Sequence, residues 1–193
     1  MKLVPTFCIL FFSLCFAACV PAVGSVSPLP TAPTTLAEYR AALYGSDDAA
    51  RLAAIAQLEQ ARSPEAVTLL GIFFTESKVT GRLEAASALL RINTSQAKHY
   101  FRTAMTDAKL TARRQVAMQA LEANGEASYP LLEELLRDAD ETVRLNTIQV
   151  IRFIGTAQAR TLLESALHDA SPAVRQAAVA ALQGMSVVNT PPP

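Results

Sequence analysis

Chemistry in this chain would have to come from few residues. There are two histidines, His99 and His168, and three cysteines, Cys8, Cys15 and Cys19. His99 stands 17 residues after Arg82 and His168 stands 24 after Arg144. No cysteine lies beyond residue 19, so a Cys/His metal site in the body of the chain is excluded. Glu133 and Glu134 are adjacent, which on a helix points them to different sides. They read as a solvated face, not as a carboxylate pair for acid–base work. No glycine-rich phosphate loop, zinc motif or nucleophile elbow is present. The sequence predicts no catalytic residue, no metal and no cofactor, hence a protein that is not an enzyme.

What does repeat is an arginine. Arg51, Arg82, Arg113, Arg144 and Arg175 are spaced 31 residues apart throughout. A fixed period of 20–50 residues marks an array of stacked structural units. Its neighbours keep the same step. Asp107, Asp138 and Asp169 precede an arginine by six residues, and Glu76 fills that place one unit earlier. Ile55, Ala86, Ala117, Ile148 and Val179 follow by four; Leu58, Leu89, Ala120, Ile151 and Leu182 follow by seven. Positions three, four and seven after the arginine form one apolar stripe at 100° per residue.

The elements that carry this pattern read as helix pairs. Thr35 can cap a helix to about Tyr44, stopped by Gly45, and Ser46 or Asp47 starts its partner, which runs to about Ala61. Ser63-Pro64 opens the next pair, with its second helix expected from Ser77 to about Asn93. The third pair begins at Thr94 or Ser95 and closes at Asn124-Gly125; its second helix is expected from about Leu110 to Ala123. Pro130 delays the first helix of the fourth pair, and Asp140 caps its second helix, which Gly155 ends. Thr156 and Ser171-Pro172 start the last two. The fold class expected is all-α, a solenoid of five stacked antiparallel helix pairs. A single pair cannot bury both of its stripes and must stack on its neighbours.

The segments "DASPAVRQAAVAAL", "DADETVRLNTIQVI" and "DAKLTARRQVAMQAL" resemble the HEAT repeat, in the short form also found in phycobilisome lyases. The resemblance covers Leu36 to Met185; its first copy departs, with Gly45 where the acid belongs. It implies a hydrogen-bonded ladder between neighbouring repeats, here Glu76, Asp107, Asp138 and Asp169 with Arg51, Arg82, Arg113, Arg144 and Arg175. It also implies a concave surface lined by the second helices. There, positions two, five and nine after each arginine point away from the stripe. In the middle of the array they include Gln115, Met118, Asn146, Gln149 and Phe153, amides beside two large apolar side chains. Such a mixture is common at interfaces, so these five are the candidate contacts for a protein partner. Met118 and Phe153 packing on each other across the groove is the competing reading.

The amino terminus predicts an address. Lys2 precedes an apolar run, Phe7 to Ala18, which is shorter than the roughly 20 residues of a membrane-spanning helix. "FAAC" at Phe16 to Cys19 resembles the lipobox of bacterial lipoproteins, with Phe16 in place of the usual Leu. The resemblance implies cleavage before Cys19 and a lipid (palmitate) on that cysteine. Cys8 and Cys15 would leave with the signal, and no disulfide could form in the mature chain. The expected organisation is a signal peptide over 1–18, the lipidated cysteine and a Pro/Ser/Thr-rich spacer over 19–35, the repeat domain over 36–185 and a tail over 186–193. The resemblance also implies, from Val20 and not Asp after the cysteine, the outer-membrane location of Gram-negative lipoproteins, facing the periplasm.

Charge narrows the partner. Lys and Arg number 17, as do Asp and Glu, so there is no basic stripe for nucleic acid. The expectation is a non-enzymatic protein-binding scaffold or assembly factor, tethered to the bacterial cell envelope as a lipoprotein, whose partner is an unidentified protein. Two alternatives are carried: a small-molecule-binding or enzyme-accessory subunit, akin to lyase-type repeat proteins, and a structural protein that self-associates through its repeat ends. Phycobilin lyase activity itself has little support, since an exported lipoprotein would meet no phycobiliprotein.

Overall fold

Capping groups decide where the helices start in the computed structural model, which describes residues 33–76, 78–106 and 111–188. The first helix, α1 (Leu36–Tyr44), begins with a capping box: the Thr35 hydroxyl accepts from Glu38 N and the Glu38 carboxylate reaches back to Thr35 N at 3.0 Å. Asp47 caps α2 (Asp48–Ala61) through the amides of Ala49 and Ala50. Pro64 opens α3 (Pro64–Glu76), where its missing amide proton costs nothing.

The next helix, α4 (Arg82–Ile92), starts five residues later than Ser77, where the pattern places it. Gly81 takes the N-cap at φ +97°, a left-handed backbone that glycine adopts without penalty. There follow α5 (Ser95–Thr106) and α6 (Thr111–Ala123), then one 3-10 turn at Gly125–Ser128 before α7 (Tyr129–Leu136). Pro130 stands in the first turn of α7, as expected. Asp140 caps α8 (Glu141–Ile154), which ends at Gly155 with φ +69°; Thr156 caps α9 (Ala157–Ala166). The last helix, α10 (Pro172–Val188), runs three residues past Met185. Among the described residues there are ten helices and no strand, the five antiparallel pairs of an all-α solenoid.

The pairs stack in two layers. The second helices α2, α4, α6, α8 and α10 each pack on the next, and α1, α3 and α5 do the same on the other side. The arginine-linked stripe lies between the layers: Ala54, Ile55, Leu58, Ala85, Ala86, Leu89, Ala117, Ala120, Ile148 and Ile151 are all buried. They join Phe73, Phe74, Phe101, Leu132 and Leu163 from the first helices in one continuous core. Burying a leucine or phenylalanine contributes about 1.5–3 kcal/mol, so these side chains, and not helix propensity, hold the array. Aromatic contacts tie the early pairs together: Tyr44 meets Phe73 edge-on at 5.3 Å and Phe74 meets Phe101 at a tilt, 5.4 Å between centroids.

Stacking is irregular at one joint. Between the third and fourth pairs, α5 packs against α8. Asn146 of α8 donates to the Met105 carbonyl at 2.8 Å. The gap between α5 and α7 is bridged by side chains: Lys98 to Glu134 at 2.6 Å, and Arg102 to Asp138 with two bonds of 2.6 and 3.0 Å. The extra 3-10 turn and the eight-residue length of α7 set this break in register.

Candidate protein-binding surface

The repeat arginines do satisfy the turns, but mostly through backbone carbonyls. Arg51 is buried; its Nε donates to the Leu43 carbonyl at 2.9 Å, and its Nη groups reach Gly45 O, Asp48 and, in the next repeat, Thr80 Oγ1 at 3.0 Å. Arg82 donates to the Phe74 carbonyl at 2.7 Å and Arg113 to the Thr75 carbonyl at 2.8 Å. Arg144 reaches the carbonyls of Asp138 and Ala139, and Arg175 those of Asp169 and Ala170. These acceptors are carbonyls of the last helical turns and of the loops that follow them.

The expected acid–arginine ladder is corrected by this geometry. Among the described residues it has one full rung, Arg144 to Asp169, with bonds of 2.9 and 3.1 Å. Glu76 is exposed at the end of α3; Thr80, brought close by the late start of α4, takes the place opposite Arg51. Asp138 turns instead to Arg102 on α5. Asp107 lies outside the described residues. Burial opposes ionisation of Asp169, but the Ser171 amide and Arg144 hydrogen bonds outweigh it and hold the carboxyl below its usual range. Asp138 behaves alike: burial raises its pKa, while Arg102 and the Asp140 amide lower it further. The Arg82 guanidinium goes the other way, with its pKa lowered by burial and by the charge of Arg113.

The five candidate contact residues differ in exposure and in surroundings. Gln115 and Met118 share a shallow depression of about 320 Å³ on α6 with Arg114, Gln119 and Glu122. Met118 is half-buried against the core. Burial raises the pKa of Glu122 beside it. Asn146 is withdrawn from the surface by its bond to the Met105 carbonyl. Gln149 and Phe153 are exposed on α8, and Phe153 leaves 65% of its surface open. Its ring neighbour is the Arg152 guanidinium, 5.9 Å from the centroid. Arg152 in turn lies on the α10 backbone, where a Cβ at Gly184 would come within 3.0 Å of its Nε. Phe153 is not among the residues that line the Met118 depression.

Several polar features of this layer carry no period in the sequence. Glu59 of α2 grips Arg91 of α4 with bonds of 2.5 and 2.7 Å. Arg91 continues to Asn124 at 3.4 Å, and Asn124 to Ser87 at 2.9 Å. Glu59 has no counterpart at 31 residues; Asn124 keeps register with Asn93, but its bonds to Arg91 and Ser87 come from the fold alone. A larger hollow, about 660 Å³, opens between α7 and α9 over the Arg144–Asp169 pair and is rimmed by Arg137, Thr161, Ser165 and His168. His99 lies in the α5–α7 gap, away from His168, so the two histidines share no site. Among the described residues no cluster of His, Cys, Asp or Glu could hold a metal, and no helix is long and apolar enough to cross a membrane. Cys19, with the segment 1–18 and most of the 19–35 spacer, lies outside the described residues.

Residues 128–190 match the family of HEAT repeats. Among solved structures, similarity is found to the complex of CpcE and CpcF of phycocyanin lyase from Nostoc, at 20% identity and a TM-score of 0.37, over 86% of this chain and 71% of that one. Two engineered proteins are also similar, at 17% and 18% identity with TM-scores of 0.32 and 0.31, over 80% and 78% of this chain and 80% and 47% of theirs. No curated protein matches the chain.

Proposed function

We propose that this chain, a HEAT-like repeat protein, is a non-enzymatic protein-binding scaffold held at a bacterial envelope membrane by lipid on Cys19. The observation that carries the binding reading is Phe153. A phenylalanine 65% open to solvent on a packed helix is not required by the core, and its neighbours Gln149 and Arg152 supply amide and guanidinium contacts beside it. Aromatic residues with an adjacent arginine are the residue types that anchor protein interfaces. The layer beneath, α8 seated on α10, already holds their backbone in helix, so binding has only the side chains to order.

The anchor rests on the sequence alone, on "FAAC" and on Cys19 as the one cysteine left after cleavage. Cys19→Ser tests it: loss from the membrane fraction and loss of acyl labelling are expected. A wild-type protein recovered soluble, with an amino terminus beyond residue 19, contradicts it.

A second reading is favoured by the α7–α9 hollow, whose volume falls within the range of small-molecule sites. Under that reading a metabolite library raises the melting temperature, and Thr161→Leu abolishes the rise. Under the scaffold reading no metabolite does so.

A further inference from the structure

One second helix inside the array is built unlike the others. Six residues after the arginine stand Ala88 on α4, Val150 on α8 and Ala181 on α10, all buried. On α6 that position is Gln119, which is exposed. One residue before the arginine, Val143 and Val174 are buried, while Ala112 on α6 is exposed. One residue after it, α4 and α8 carry Leu83 and Leu145, both packed on the core; α6 carries Arg114. Residue type and exposure agree that α6 presents a broad polar surface, although helix pairs stand before and after it.

A row of three side chains runs down that surface. Arg114, Met118 and Glu122 are each four residues apart, along one of the ridges by which helices pack. With Gln115 and Gln119 they line the shallow depression on α6. Arg114 and Glu122 stand about 12 Å apart along the helix axis, too far to pair as residues three or four apart do. Among the described residues neither side chain has a hydrogen-bonded or ionic partner. Glu122 is half-buried, and that burial opposes its charge with no cation of the chain to offset it. Met118, between them, rests on the core with one side and keeps the other open.

This row is complementary to itself. Laid antiparallel on a copy of itself about Met118, it sets Arg114 opposite Glu122 twice and Met118 opposite Met118 once. Laid parallel, it sets arginine on arginine. We propose that α6 pairs antiparallel with α6 of a second copy of this chain, about a two-fold axis at Met118. Charge names the occupant: the facing surface must offer a carboxylate, an apolar side chain and a cation in that order and spacing, and α6 itself does. Gln115 and Gln119 flank the row with amides that both donate and accept, so they also suit their own copies. The contact is isologous and closes at two copies. One helix surface is a small interface, which places the dimer in the weak class.

The test is light scattering on the full chain in detergent, with protein mass separated from detergent mass, from micromolar to millimolar concentration. The wild type is expected to rise to twice the monomer mass and stop. Arg114→Glu and Glu122→Arg each set like charges opposite one another, and each variant alone is expected to stay monomeric. Mixed together they are expected to dimerise, because each supplies the charge that the other lacks. The chain carrying both exchanges is expected to dimerise with itself. Circular dichroism confirms that each variant is helical; Arg114→Gln and Glu122→Gln, which remove charge alone, are expected to weaken the dimer and stand in for an exchange that does not fold. A wild type that stays monomeric throughout, or grows past two copies, overturns the proposal. So does a dimer that survives the single exchanges, or one that neither the mixture nor the double exchange restores.

Discussion

Arg144 and Asp169 belong to different helix pairs, yet they are joined by two hydrogen bonds over the seam between them. Both side chains are mostly buried, so the pair is shielded from solvent on the side of the core. Losing a charged hydrogen bond of this kind costs about 1.5–3 kcal/mol. Arg144→Ala is expected to lower the unfolding free energy by an amount in that range, with a matching fall in melting temperature, and Asp169→Asn to lower it by a comparable amount. Arg175→Ala removes only bonds to backbone carbonyls and is expected to cost less. Equal, negligible losses in Arg144→Ala and Arg175→Ala, measured by calorimetry, contradict this account of the seam.

Acid should weaken the array at its last two joints. The carboxyls of Asp138 and Asp169 both have lowered pKa values in the folded chain. Their stabilising contribution is therefore complete above the unfolded value of about 3.9 and is lost as pH falls through the lower folded values. Urea midpoints measured from pH 6 down to pH 2 are expected to drop in this window. Asp138→Asn with Asp169→Asn should flatten that part of the drop. A double variant with the same acid profile as the wild type speaks against these two carboxyls.

Gly71 is a packing requirement on α3. A Cβ there would come within 2.1 Å of the Tyr100 ring on α5, far inside contact distance. Gly71 is buried and Tyr100 is half-buried against the core, so one of them must shift to admit the methyl group. Gly71→Ala is expected to destabilise by about 1–3 kcal/mol, the usual cost of overpacking. Tyr100→Ala in the same chain should recover part of the loss. Thermal melts of the two single variants and the double variant decide it; additive losses contradict the clash.

The stacked helix pairs were legible because a 31-residue period repeats both the arginine and the stripe beside it. Ile55, Ala86, Ala117 and Ile148 are buried as that stripe requires. The seam chemistry was only half legible. An arginine in register says that a turn needs a donor, but the acceptor is chosen by the local path of the chain. Gly81 delays α4 and brings Thr80 to Arg51; the 3-10 turn after Asn124 shifts α7 and gives Asp138 to Arg102. The surface was less legible still. A helical wheel places Asn146 outward with Gln149 and Phe153, and it cannot know that the Met105 carbonyl at the end of α5 lies within reach of the Asn146 amide. It likewise cannot separate Met118, half-buried on α6, from Phe153, open on α8.

The central claim is that the α8 surface around Phe153 contacts another protein. A photo-crosslinking amino acid placed at position 153 in the full chain, expressed in its native envelope, tests it most directly. Position 161, exposed on α9 at the α7–α9 hollow, is the control. One dominant adduct is expected from position 153, none from 161, and loss of the adduct when Gln149 and Arg152 are changed to Glu. No adduct at 153, or the same adducts from both positions, would contradict it.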